Sequence, residues 1–258
     1  MKDFGLVSII MPCYNGACHI GEAIESVVNQ TYENWELLIT DDCSTDDSVD
    51  LIKSYVQNDK RIKLFVLGKN QGAAVARNNS ISKAKGRFIA FLDGDDFWLP
   101  AKLELQLDFM LKKKCAICCS SLLYSNENGE YIGIELAPKF HSFRDSLKDN
   151  KIGTTSAIYD TNMIGKYYMP LIRKRQDWAL FMSILKTGVI AYGMKQPLCV
   201  YRIGHQSLSK NKWSLIKYNI ATYQIVLKWS FPRALIYFLL VYMPHWLYKK
   251  WLIKQYNK

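Results

Sequence analysis

The chain has 258 residues, of which 49% are hydrophobic and 22% charged, so it is globular, not disordered, and long enough for one large α/β domain or two small ones. The net charge of +11 is unevenly placed: the last acidic residue is Asp177, twelve Lys and Arg follow it, and up to that point 22 basic residues stand against 23 acidic ones. A basic excess confined to one end reads as a surface-binding feature, not a solubility device. Met1 to Gly5 carries an acid and precedes only a short apolar stretch, which does not read as a signal-peptide core. Seven cysteines, an odd number, then read as reduced thiols of a cytoplasmic protein. Cys115-x-x-Cys118-Cys119 has the spacing of a metal knuckle, but no second Cys or His pair lies at finger spacing. Core cysteine is the better reading there.

In chain order, Leu6 to Met11 reads as a strand broken by Pro12-Cys13-Tyr14-Asn15-Gly16. Ile20, Ala23, Ile24, Val27 and Val28 repeat at helical spacing. Trp35 to Ile39 predicts a second strand, ending in Asp41-Asp42. Ser44-Thr45-Asp46-Asp47 is expected to open a helix, with hydroxyls capping it and acids in its first turn. Ile62 to Leu67 is a third strand, a helix spans about Gly72 to Ala84, and Arg87 to Leu92 is a fourth strand. This β-α alternation predicts a parallel sheet covered on both faces, whose ligands bind beyond the strands' carboxyl ends.

The unusual polar groups all follow a strand: Pro12-Tyr14-Asn15, Asp41-Asp42, Asn70-Gln71-Gly72 and Asp93-Gly94-Asp95-Asp96. They are expected to line one sheet edge. Neither the glycine turn of a dinucleotide fold nor a phosphate-loop Gly-Lys-Ser/Thr is present. Three carboxylates within four residues repel one another unless a cation sits among them. All-oxygen donors suit Mg²⁺ or Mn²⁺. Taken alone, the stretch reads equally as a solvated acidic turn.

Further on, Pro100 suits the first turn of a helix to about Lys114, and strand-like pieces follow at Cys115 to Tyr124 and Glu130 to Leu136. Trp178 to Leu185 reads as a helix ended by Gly188. From Ser214 the chain is aromatic and basic. Ala234 to Met243 is an unbroken apolar run, too short to span a bilayer, with Arg233, Trp246, Lys249, Lys250 and Trp251 around it. Aromatics beside lysines suit an anionic membrane surface. The competing reading is a C-terminal helix packed on the domain. Basic residues beside a continuous apolar run argue against nucleic acid as the partner.

Taken together, these residues resemble family 2 glycosyltransferases of the GT-A fold. The resemblance rests on Val7 to Asn15, Gln30-Thr31-Tyr32, Asp41 to Asp46, Asn70-x-Gly72 with Ala76-Arg77-Asn78, and Leu92 to Asp96. It continues through Arg175-Gln176-Asp177-Trp178 and Tyr201-Arg202 with Ser207-Leu208-Ser209. It covers about residues 6 to 212, and the likeness is to bacterial surface-polysaccharide and O-antigen transferases.

The resemblance implies a GT-A domain over 1–212, with a nucleotide-binding half to about 98 and an acceptor half beyond it, followed by a membrane-associating helical tail over 213–258. It implies a mostly parallel sheet with helices on both faces. It also implies that Tyr14 and Asp42 hold the nucleobase in a pocket shaped by Pro12, and that Arg77 supports the base end or the diphosphate. Asp93 and Asp95 would bracket ribose and metal, Asp96 would orient the sugar, Asp177 would be the catalytic base, and Arg202 would close over the diphosphate. The roles of Asp41 and His205 stay open.

The implied activity is inverting, metal-dependent transfer from a UDP-sugar to a hydroxyl of a lipid-linked glycan, at the inner face of the cell membrane. Two rivals remain at this point: a silent nucleotide-sugar binding module, and a nucleotidyltransferase, although Pro12-Cys13-Tyr14-Asn15 is not the glycine-rich basic loop the latter needs.

Overall fold

The computed structural model describes residues 3–203 and 215–256, with the side chains of 250–256 excepted. The first half alternates β1 (Val7–Cys13), α1 (Ile20–Val28), β2 (Trp35–Asp41), α2 (Ser48–Asn58), β3 (Ile62–Val66), α3 (Ala73–Lys83) and β4 (Phe88–Phe91). There follow β5 (Phe97–Trp98), α4 (Lys102–Lys113), β6 (Ile117–Ser125), β7 (Tyr131–Glu135), β8 (Phe140–His141) and the short α5 (Phe143–Ser146). Next come β9 (Ile158–Asp160), α6 (Thr161–Ile164), α7 (Gln176–Leu185) and β10 (Ala191–Arg202).

The sheet runs β3-β2-β1-β4-β9-β6-β10-β5, with β7 on β6 and β8 on β10. Strands β3, β2, β1 and β4 are mutually parallel. Strand β9 is antiparallel to both β4 and β6, and β10 is parallel to β6. Six strands therefore deliver their carboxyl ends to one edge, and Arg202 at the end of β10 joins Cys13, Asp41 and Phe91 there.

The strand interiors are continuous apolar runs because both faces are covered. Val7, Ile9 and Met11 pack on one side with α1, α2 and α4, through Ile24, Ile52 and Leu107. Ile10, Ile89 and Phe91 pack on the other with α3 and α7, through Ile81 and Leu180. The cysteines at 115, 118, 119 and 199 are buried in this core and no disulfide forms among the described residues.

Helix α2 starts later than the sequence suggests, at Ser48, and Asp47 at its N-cap makes no side-chain cap. Ser44, one of the hydroxyls expected to cap it, points across the edge instead, as does Ser48 in the first turn. Ser44 Oγ accepts from Asn15 N at 2.8 Å and Ser48 Oγ accepts from Gly16 N at 2.8 Å. They tie the β2 loop to the β1 loop, a tertiary use that local spacing does not reveal.

The basic end folds into α8 (Leu215–Leu227), α9 (Phe231–Tyr237), a π-helical turn (Phe238–Tyr242) and α10 (Met243–Tyr256). Ile220, Tyr223, Ala234, Phe238 and Tyr242 form one buried cluster with Trp178, Ala179 and Met182 of α7. Burying a tryptophan this way is worth about 3–5 kcal/mol, so these helices are part of the fold. Among the described residues no single helix is long and apolar enough to cross a membrane. Leu215–Leu227 and Phe231–Lys249 pass that test only together, and they are bent by 119°.

Lys102 is fully buried, its Nζ makes no hydrogen bond, and it sits 3.9 Å from the centre of the Trp98 ring. Burial pushes its amine down to about 7. A group whose pKa falls on folding is more protonated in the unfolded chain between that value and its ordinary one, so folding is progressively favoured as pH rises through the window. Lys102→Met is expected to raise stability at pH 7, with the gain over wild type shrinking between pH 7 and about 10. Urea unfolding of both proteins across that range checks it.

Candidate active site

The base end of the cleft is built by the loops after β1, β2 and β3. Asp42 N donates to Cys13 O at 2.8 Å, closing β1 against β2 beyond the sheet. Asn15 adopts a left-handed φ of 47°, and its side-chain carbonyl accepts from Thr45 N at 2.8 Å. The turn leaves Tyr14 with 53% of its surface exposed beside Pro12. The Asp42 carboxylate accepts from Gln71 N at 2.7 Å and Gly72 N at 2.6 Å. Gly72 carries a φ of 91° at the head of α3, where a Cβ would be strained. Asp41, left open by the sequence, binds Ser44 through both N and Oγ and so shapes its own loop.

The acidic centre follows β4. Asp93 accepts from Arg77 Nη2 at 2.5 Å, and Arg77 Nη1 donates to Gln176 Oε1 at 3.0 Å. Gly94 is pressed against the β1 end, and a Cβ there would lie 2.9 Å from Ile20 Cδ1. Burial first, and Asp93 second, raise the pKa of Asp95. Asp96 is raised well above the usual carboxylate range by burial, Asp95 and Asp93, in that order. Its Oδ1 accepts from Arg202 N at 3.1 Å. Its Oδ2 and the facing Thr155 hydroxyl are buried without a hydrogen bond of ordinary geometry.

A cluster of carboxyls made reluctant to ionise, with a buried oxygen left unpartnered, has the chemistry a hard divalent cation relieves. Among the described residues no three His, Cys, Asp or Glu side chains already converge as a full cage. Mg²⁺ and Mn²⁺ suit such a site because one or two carboxylates, water and substrate phosphates complete their shell. The acidic centre therefore fits the metal.

The third part is the acceptor side. Asp177 lies in the first turn of α7, and its Oδ2 accepts from Asn150 Nδ2 at 2.8 Å. Arg202 is buried, its guanidinium bonded to His19 Nδ1 and to Glu22 Oε2, the latter at 2.5 Å.

Of the residues singled out from the sequence, Pro12, Tyr14, Asp42, Asp93, Asp95, Asp96 and Arg202 lie at the ends of β1, β2, β4 and β10 or in the loops that follow them, Arg77 on α3 reaches Asp93, and Asp177 lies on α7 next to the Gln176 that Arg77 also reaches. Ser207-Leu208-Ser209 and His205 lie outside the described residues. Sequence reasoning missed His19, Glu22 and Asn150, and gave Gln176 no role of its own within its motif. His19 and Glu22 precede and open α1, directly beyond β1, and that position was the available signal. Asn150 lies in a stretch without pattern, and nothing local marked it.

A mostly parallel sheet whose strand ends gather a tyrosine and an acidic cluster, with a separate carboxylate at the head of α7, makes a ligand cleft at the sheet edge. The profile of Glycosyl transferase family 2 matches residues 8–168, more than half of the chain. The protein belongs to that family.

It is 40% identical over 230 residues to TuaG of Bacillus subtilis (strain 168), whose name assigns it to teichuronic acid biosynthesis, covering 89% of this chain and 91% of that one. It is 39% identical over 222 residues to WfgD of Escherichia coli, covering 84% of each. WfgD is named a UDP-Glc:alpha-D-GlcNAc-diphosphoundecaprenol beta-1,3-glucosyltransferase. The fold is that of S. aureus TarS 1-349, solved in complex with UDP-GlcNAc, with a TM-score of 0.67 at 19% identity over 88% of this chain and 69% of that one. The sheet and its flanking helices are therefore those of the GT-A fold that the sequence led us to expect.

Asp42 supports its loop before any ligand arrives. Asp42→Asn replaces one acceptor with a donor facing a backbone N–H, and is expected to cost about 1–3 kcal/mol of stability without ligand. Urea unfolding of the free protein measures it.

Proposed function

We propose that the protein transfers a sugar from UDP to a hydroxyl of a glycan carried on a lipid diphosphate, with inversion. The observation that carries the reading is the Arg77 bridge. One guanidinium touches Asp93 of the acidic centre and Gln176, the neighbour of Asp177. The acidic turn and the head of α7, which carries the lone carboxylate Asp177, are thereby joined.

In this reading the exposed Tyr14 ring stacks on uracil above Pro12. Asp42 keeps a second lone pair on each oxygen for a ring N–H. Asp93 receives the ribose and Asp96 the sugar. Asp95 would hold the divalent ion, which when bound acts as a Lewis acid on the diphosphate. Arg202 and Arg77 add positive charge beside the departing nucleotide. Asp177 takes the acceptor proton as the hydroxyl attacks the anomeric carbon. Attack opposite the departing UDP inverts that carbon in one displacement, so no second nucleophilic carboxylate is required. The name of WfgD supports a UDP-sugar donor and an undecaprenol-linked acceptor for this chain.

The C-terminal helices would seat the enzyme on the inner face of the cell membrane. Ala234, Phe238 and Tyr242 face the domain, while Ile236, Leu239, Leu240 and Leu247 are exposed. The segment after Asp177 carries no acid, so an anionic leaflet attracts it.

Asp177→Asn is expected to lower kcat by about a thousandfold or more, assayed with UDP-glucose and GlcNAc-diphosphoundecaprenol, and full turnover in this variant would refute the mechanism. For the membrane seat, truncating the tail would strip the cover from Trp178, so surface substitutions are the cleaner probe. Ile236→Glu with Leu240→Glu is expected to abolish co-sedimentation with phosphatidylglycerol vesicles at unchanged Tm, and undiminished binding would count against the membrane role.

A further inference from the structure

We infer that the C-terminal helices complete the acceptor side of the cleft. Through Lys249, Asp149 and Asn150 they set the Asp177 carboxylate, and Asn150 is its positioning residue. The inference rests on the reading of Asp177 as the base.

The chain of contacts is short. On α10, Lys249 Nζ donates to Asp149 Oδ2 at 2.5 Å. Lys151 Nζ flanks the same carboxylate at 3.9 Å and reaches Glu135 Oε1 at 3.6 Å. Between these two charged neighbours, Asn150 Nδ2 donates to Asp177 Oδ2 at 2.8 Å, and Asn150 Oδ1 accepts from Ile152 N at 3.3 Å. Thus Asn150 is oriented from both ends of its amide, one of them fixed by the backbone of Ile152 two residues on.

The same loop is gripped from below. Trp178 Nε1 donates to Ser146 O at 2.7 Å, and Tyr223 Oη of α8 donates to Leu147 O at 2.7 Å. The Trp178 ring lies 5.5 Å from the rings of both Tyr223 and Tyr242. Arg175, held at a left-handed φ of 68° just before α7, donates from Nε to Asn219 Oδ1 of α8 at 3.0 Å. Trp178 and Arg175, on either side of Asp177 in the chain, are therefore braced by helices of the basic end, while Gln176 is held by Arg77. A simple anchor needs only an outer face. Here the inner face packs on Trp178, next to that carboxylate, and one lysine holds Asp149, next to the Asn150 that bonds it.

A carboxylate with one oxygen pinned presents the other in a defined direction, and small misplacements of a proton acceptor are costly in rate. With UDP-glucose and GlcNAc-diphosphoundecaprenol, Asn150→Ala and Lys249→Met are each expected to lower kcat about tenfold, with the donor KM within about twofold. Tm and vesicle co-sedimentation should be retained, and Lys249→Arg should restore turnover. Independently of any substrate, backbone hydrogen exchange over 147–151 and 175–178 is expected to rise in Lys249→Met and not in Lys217→Met. If both variants keep wild-type kcat and exchange while Asp177→Asn abolishes turnover, the positioning role is wrong and the base stands. If Asp177→Asn itself turns over normally, the base reading falls and the positioning role with it.

Discussion

A single guanidinium, that of Arg77, joins the two sides of the cleft. Asp93 at the end of β4 and Gln176 at the head of α7 both bind it. Its side chain is 11% exposed, so the interaction is little screened by solvent. Three carboxyls crowded into Asp93-Gly94-Asp95-Asp96 would otherwise face one another unopposed. With Arg77 on one side and Arg202 N on the other, the turn is held in shape but not neutralised, and Asp95 and Asp96 keep their raised pKa values. Residual electrostatic stress of this kind marks a functional site more than a structural one.

The remaining architecture serves that edge. Parallel pairing brings four loops together, and hydroxyls that would ordinarily cap a helix cross-brace the loops after β1 and β2. Asp42 stiffens the entry to α3 through two backbone N–H groups. Arg202 is drawn onto His19 and Glu22, so the last strand is latched to the first helix. Each brace uses a polar side chain beyond a strand end, so the rigidity of these loops depends on side chains at the sheet edge.

The helices beyond β10 change the picture of the chain's end. Their composition suggested a basic, aromatic surface element. In the fold they have two faces: one closes over Trp178 of α7, and the other exposes Ile236, Leu239, Leu240 and Leu247. The two readings offered by the sequence, membrane contact and packing on the domain, are compatible because a helix has room for both. The π-helical turn at Phe238–Tyr242 stacks Phe238 and Tyr242 at 5.3 Å on the inner side.

By itself the sequence determined the alternating elements of the first half, the direction of their carboxyl ends and the residues gathered there. Those properties follow from local periodicity and from the handedness of parallel crossovers, which need no partner beyond the next strand. Only the tertiary structure decided what those residues touch. His19 against Arg202, Asn150 against Asp177 and Lys249 against Asp149 are separated by 183, 27 and 100 positions. No periodicity encodes contacts of that range. They arise when separately formed elements dock and their polar groups must find partners on leaving water. The same holds for Lys102, a helix residue by pattern that packing alone placed unpaired over Trp98.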